Sequence, residues 1–270
     1  MHGCVQLEFG FLLGPADGRY LLRSDPDAEP ERVLALATLG APQRRLLEGR
    51  RGRGVERAEP EPVPTSRATV VRAQPFEALA AGEAWLQSVR SETEQAGAEV
   101  DEAVRDLNRA IGAHRAAAAD AHARDVSADQ ALVVRIGYGA GEEVADGRFS
   151  DAWELPRERT RTRRSMEAPE ERFAALMGGR ERPLAGEELV LRARTDLDAG
   201  RVREAALQTR IALEALLAEL PGTDLAADRG PIGDAANAAL RAAPSPELQG
   251  AVAECVARME AELRRMRLSR

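Results

Sequence analysis

From about Phe76 to Arg124 the chain repeats apolar residues at helical spacing over several heptads, and this segment constrains the fold most. One heptad position reads Leu86, Thr93, Val100, Leu107 and His114; the other reads Val89, Ala96, Ala103 and Ala110. Val104 and Ile111 widen the stripe on one side. Such a pattern is an amphipathic helix with one face that must be covered. Alanine recurring at one seam position permits a close helix approach. Leu86, Val89, Ala96, Val100, Ala103, Leu107 and Ala110 are therefore expected to form an interface, either with a protein partner or with a second copy. Gly82, Gly97 and Gly112 recur every fifteen residues, each costing about 1 kcal/mol relative to alanine in a helix interior. A bend or break is expected at one of them, which leaves open a single rod or a helical hairpin.

Ahead of this segment the chain reads as strands. Val5 to Leu13 and Tyr20 to Arg23 flank Gly14-Pro15-Ala16-Asp17-Gly18-Arg19, a loop with hairpin turn chemistry. Val33 to Leu39 is a third apolar run, ended by Gly40 and Pro42, and Ala68 to Ala73 is a fourth. Between them lie an arginine-rich stretch, 42–57, and Ala58-Glu59-Pro60-Glu61-Pro62-Val63-Pro64, whose alternating prolines imply an extended, solvated segment. Ala131 to Tyr138 is the clearest strand, and a short amphipathic stretch follows it up to Leu155-Pro156.

Residues 156–183 change character, with Arg157, Arg159, Arg161, Arg163 and Arg164, a Pro-Glu patch and Gly178-Gly179. They read as a linker carrying a short helix over Glu170 to Met177. The remainder is helical. Glu187 to Leu197 and Val202 to Leu220 make one pair, with Gly200 suited to the residue after a helix end. Ile232 to Ala243 and Pro246 to Leu268 make a second pair around Pro244-Ser245-Pro246. The stretch Ala193-Arg194-Thr195-Asp196-Leu197-Asp198-Ala199-Gly200-Arg201, continued through Glu204-Ala205-Ala206 and Ala212-Leu213-Glu214, resembles one tetratricopeptide-type helical hairpin. Thr209 stands where that family places a large aromatic residue, and no second copy follows, so the resemblance implies a packed helical pair and no array.

All 38 basic residues are arginine. Without lysine there is no P-loop lysine, no Schiff base and no lysine general base. The net charge of −7 argues against bulk nucleic-acid binding, which needs a positive footprint. Arginine clusters at 44–57 and 157–164 could grip an acidic partner, but they lack aromatic residues for base stacking. Cys4 and Cys255 do not make a disulfide framework, which points to reduced thiols in a cytoplasm. No apolar run approaches the roughly 18 residues of a membrane span.

Gly137-Tyr138-Gly139-Ala140-Gly141 follows a strand, as phosphate-cradling loops do. Glu142 replaces the last glycine of that fingerprint and, with Glu143, would repel a phosphate. Tight-turn glycines are the ordinary explanation. Glu142, Glu143, Asp146 and Asp151 could alternatively gather a cation or act as an acid–base pair, although acidic residues also simply start helices. His114 and His122 point about 80° apart on one helix, unlike a zinc-binding pair. Asp196-Leu197-Asp198-Ala199-Gly200 lacks the ligand spacing of a calcium loop.

The expected architecture is an α+β N-terminal part, 1–155, with a small sheet and a long helix or helical hairpin. An arginine-rich linker, 156–183, leads to an all-α C-terminal bundle of two helix pairs, 184–270. No catalytic, metal or cofactor residues are assigned. The first functional expectation is a non-catalytic interaction or scaffold protein associating through helices. The second is an enzyme or ligand-binding protein with its site at Gly137, Gly139, Gly141, Glu142 and Glu143, where Arg135 or Arg148 would have to converge on a desolvated glutamate.

Overall fold

β1 (His2–Phe9) is buried at six of its eight residues, and it takes the position where both faces are covered, next to the middle of a six-stranded antiparallel sheet. In this computed structural model, which describes residues 1–23, 25, 27–40, 64–156 and 169–268, the other strands are β2 (Gly18–Leu22), β3 (Arg32–Leu39), β4 (Thr65–Arg72), β5 (Val133–Gly139) and β6 (Asp151–Glu154). Their order is β2-β3-β4-β1-β5-β6. The turn chemistry at 14–19 therefore does not close a hairpin between β1 and β2. β2 pairs with β3, while β1 pairs with β4 and β5. β2 is short and largely exposed, which suits an edge, whereas β1 needs neighbours on both sides. The arginine-rich and proline-alternating segments at 42–57 and 58–63 lie outside the described residues.

The long periodic segment is two helices, α1 (Leu79–Ser91) and α2 (Thr93–Ala118). The break falls at Glu92, with φ −119° and ψ 98°, and not at a glycine. One extended residue interrupts the ladder, while Gly82, Gly97 and Gly112 all stay helical. At Gly82 the reason is close packing: a Cβ would lie 3.2 Å from the Phe76 ring and 3.3 Å from the Tyr138 ring. Both helices lie on one face of the sheet. Leu86, Val89, Val100, Leu107 and Ile111 form a single core there with Val5, Leu7, Phe9, Leu34, Val70 and Ile136. Buried Asn108 fixes the returning chain, donating to the Val126 carbonyl and accepting from the Val126 N–H, each at 2.8 Å. The other face is covered in part by α3 (Gly141–Ala145), where Val144 packs on Cys4 and Val71.

The chain divides into two compact units, Met1–Pro156 and Arg157–Arg270. The second is helical: α4 (Pro169–Met177), α5 (Ala185–Asp198), α6 (Val202–Glu219), α7 (Arg229–Ala239) and α8 (Pro246–Leu268). The chain is thus an α+β part followed by a helical part. Residues 157–168, with most of the arginine cluster, lie outside the described residues. The α5–α6 turn has Gly200 at φ +71°, the left-handed conformation that glycine adopts freely. A Cβ on Gly186 would overlap the Leu216 side chain, so glycine here lets α5 and α6 touch. Glu219 at the end of α6 then accepts the Ala185 and Gly186 N–H groups, both at 2.9 Å, and caps the start of α5. No helix among the described residues is long and apolar enough to cross a membrane.

Candidate functional site

The glycines at the end of β5 serve packing against the chain's own elements. A Cβ on Gly137 would lie 2.7 Å from the Asp151 carbonyl oxygen and 2.8 Å from the Ala152 Cβ, so its absence lets β6 pair closely. On Gly139 it would lie 2.8 Å from Val144 Cγ1, and on Gly141 3.3 Å from the His2 ring. Gly141 opens a helix of five residues, and both Glu142 and Glu143 face solvent. Neither arginine that a site would have required converges on them. Arg135 binds the Gln6 amide oxygen, Glu8 and Glu154, each at 3.1 Å, and Arg148 reaches Asp146 at 3.4 Å. The strand end is a tight internal joint, and the geometry demanded of a ligand cradle there is absent.

The helical seam also turns inward. Leu86, Val89, Ala96, Val100, Ala103 and Leu107 are each at most 5% exposed, beneath the chain's own sheet. Ala110 is partly buried against the same core. These side chains are not on the surface, so a second helix or a second copy has no access to them. The periodicity was a signal for burial, and heptad spacing alone does not distinguish a sheet from a helix as the covering layer.

The second face of the sheet carries a polar row. Through the strand register, Thr69 of β4, Gln6 of β1, Arg135 of β5 and Glu154 of β6 lie side by side. Gln6 and Thr69 are at most 1% exposed, and the Gln6 amide donates to the Thr69 hydroxyl at 3.2 Å. Arg67 of β4 lies beside this row, its Nε shielded from water without a hydrogen-bond partner. It also lines a cavity of about 250 Å³ with Asp17, Leu36, Thr38 and Ser66. No local sequence pattern marks this cluster, because only the pairing register brings its members together.

Burial pushes both thiols up to about 12: Cys4 donates to the Gly137 carbonyl, and Cys255 sits near the Asp228 carboxylate. At neutral pH neither is a thiolate nucleophile. Among the described residues no three His, Cys, Asp or Glu side chains gather as metal ligands do. His114 instead packs against Gly14, where a Cβ would lie 3.1 Å from its ring.

In the C-terminal unit α4 leaves an apolar pair in water. Phe173 is 65% and Met177 is 73% exposed, four residues apart and so on one helix face. The neighbouring face is anchored: Arg172 donates to Glu187 at 2.8 and 2.9 Å and to Glu181 at 3.0 Å. Glu170 and Glu171 at the start of α4 are exposed, as are Arg180 and Arg182 beyond its end. A sequence signal existed here, since an apolar pair at helical spacing stood inside a segment otherwise read as linker. No family model, no curated protein and no solved structure matches the chain.

Proposed function

We propose that this chain is a non-catalytic interaction protein that associates through helices, with the outer face of α4 as the contact and a second copy as its occupant. The exposed Phe173–Met177 pair carries this reading. Large apolar side chains held together in water by an anchored helix are the usual mark of an association surface. The charge pattern favours self-pairing. In an antiparallel, two-fold arrangement Phe173 of one copy would meet Met177 of the other, giving two sulfur–aromatic contacts. Glu170 and Glu171 would then approach Arg180 and Arg182 of the second copy. With the seam of α1 and α2 buried, association through helices would use an outward face of this kind. The free, buried cysteines fit a cytoplasmic setting.

A helix of nine residues offers less than the roughly 1,200 Å² of total buried area typical of stable complexes. The association should therefore be concentration-dependent. Light scattering of the eluted protein should show mass rising above the monomer with loading concentration, and less so at high salt. Phe173→Glu together with Met177→Glu should hold the mass at the monomer value while circular dichroism stays unchanged. A wild-type protein that remains monomeric into the millimolar range overturns the proposal, as does a variant that associates equally well.

A further inference from the structure

Arg67 is a half-buried cation that forms no ion pair among the described residues. In β4 it stands beside Glu8 of β1, but Glu8 is engaged by Arg135 at 3.1 Å. The Arg67 guanidinium lies instead under the loop after α3, where a Cβ on Gly147 would be 2.6 Å from Nη1 and 3.1 Å from Gln6 Nε2. Gly147 has φ +82°, so the loop depends on glycine both for its backbone conformation and for this approach. Arg67 Nε is closed off from solvent and donates to nothing among the described residues. A charged donor left without an acceptor inside a fold is costly, and such groups are usually satisfied by a partner.

The surroundings add positive charge. Arg19 of β2 and Arg148 of the loop both reach the Asp146 carboxylate, at 3.5 and 3.4 Å, and these contacts are long and solvent-exposed. Two guanidinium groups thus share one carboxylate, and the Arg67 guanidinium lies beneath the adjoining Gly147. The Gln6 amide spends one N–H on Thr69 and directs its nitrogen toward the same loop. These donors arrive from β1, β2, β4 and the loop, and so from several directions. A planar carboxylate would use a single fork, whereas a tetrahedral dianion uses donors spread in space and matches the surplus charge.

We propose that Arg67, with Gln6 and the flanking Arg19 and Arg148, binds a phosphate-class oxyanion, either free phosphate or the phosphate of a small monoester. This stands on different residues from the association through α4, and each can fail without the other.

The test titrates the full chain calorimetrically, at constant ionic strength, with inorganic phosphate and with glycerol phosphate. Saturable binding of one equivalent is expected. Arg67→Gln should weaken it at least tenfold, and Arg192→Gln, at an exposed arginine of the C-terminal unit, should leave it unchanged. Equal binding of both probes identifies the phosphate group as what is read; binding of glycerol phosphate alone identifies an ester ligand. Should Arg67→Gln fail to fold, Arg19→Gln with Arg148→Gln removes two exposed donors and should weaken binding several-fold with an unchanged fluorescence melt. The proposal is overturned if neither probe binds saturably, or if affinity is insensitive to Arg67→Gln or, where that variant does not fold, to the double substitution.

Discussion

Thr209 shows how a single residue can stand against its surroundings. Its side chain is fully buried in α6, and its hydroxyl has no hydrogen-bond partner among the described residues. Thr195 in α5, though exposed to water, donates to the Leu191 carbonyl at 2.9 Å, a bond that Thr209 lacks. An unmatched buried hydroxyl costs about 1–3 kcal/mol, and an isosteric apolar replacement removes that cost. Thr209→Val should therefore stabilise the C-terminal unit by about 1 kcal/mol, read as a higher urea midpoint in circular dichroism. A lower midpoint would mean that the hydroxyl has found a partner. The tetratricopeptide-like spacing around Thr209 was visible in the sequence. That a small residue is fully buried there was not, because burial is set by the helices packed around α6.

At the scale of elements, α2 shows what periodicity can and cannot say. Its apolar stripe identified each seam residue that the core uses, from Ala96 through Leu107. It did not identify the covering layer, since a sheet buries an amphipathic helix as well as another helix does. Leu107 is fully buried between α2 and the sheet. Leu107→Ala should cost the N-terminal unit about 3 kcal/mol, within the range for large-to-small core changes. The measurement is denaturant unfolding followed by tryptophan fluorescence, since Trp85 packs on the same core. A loss below about 1 kcal/mol would show that the site is more loosely packed than its burial implies. The hairpin expected between β1 and β2 failed for a related reason. Turn chemistry marks where a chain reverses, but pairing follows from which strand needs two covered faces.

For the whole molecule, the two units carry separate cores and separate reporters. Trp85 and Trp153, the two tryptophans of the chain, belong to Met1–Pro156, so fluorescence does not see the C-terminal unit directly. That unit has its own pH-sensitive joint. Burial pushes the Glu187 carboxyl up, but hydrogen bonds from Arg172 and the Leu184 N–H, with the charge of Arg267, outweigh it and hold the group below the ordinary carboxylate range. A carboxyl lowered in the folded state stabilises it above the unfolded value, and that stability is lost as pH falls through the folded value. Acidification should therefore loosen the C-terminal unit, seen by circular dichroism ahead of any fluorescence change. Glu187→Gln should lower stability at neutral pH and flatten the acid dependence. Coincident acid transitions by both probes, unaltered in the variant, would remove Glu187 from this role.

The sequence by itself determined the element types, the positions of most helices and strands, and the division into an α+β part and a helical part. These follow from local periods, from turn residues and from the absence of aromatic bulk, all of which act over a few residues. Only the tertiary structure decided the strand order, the sheet as the cover for the helical seam, and the use of Gly137 and Gly139 as packing joints. It also decided that Arg67, Gln6, Arg19 and Arg148 share one corner of the sheet, and that Phe173 and Met177 stay in water. Each of these depends on residues far apart in the chain, whose proximity is set by strand register and by competition for burial rather than by any local preference.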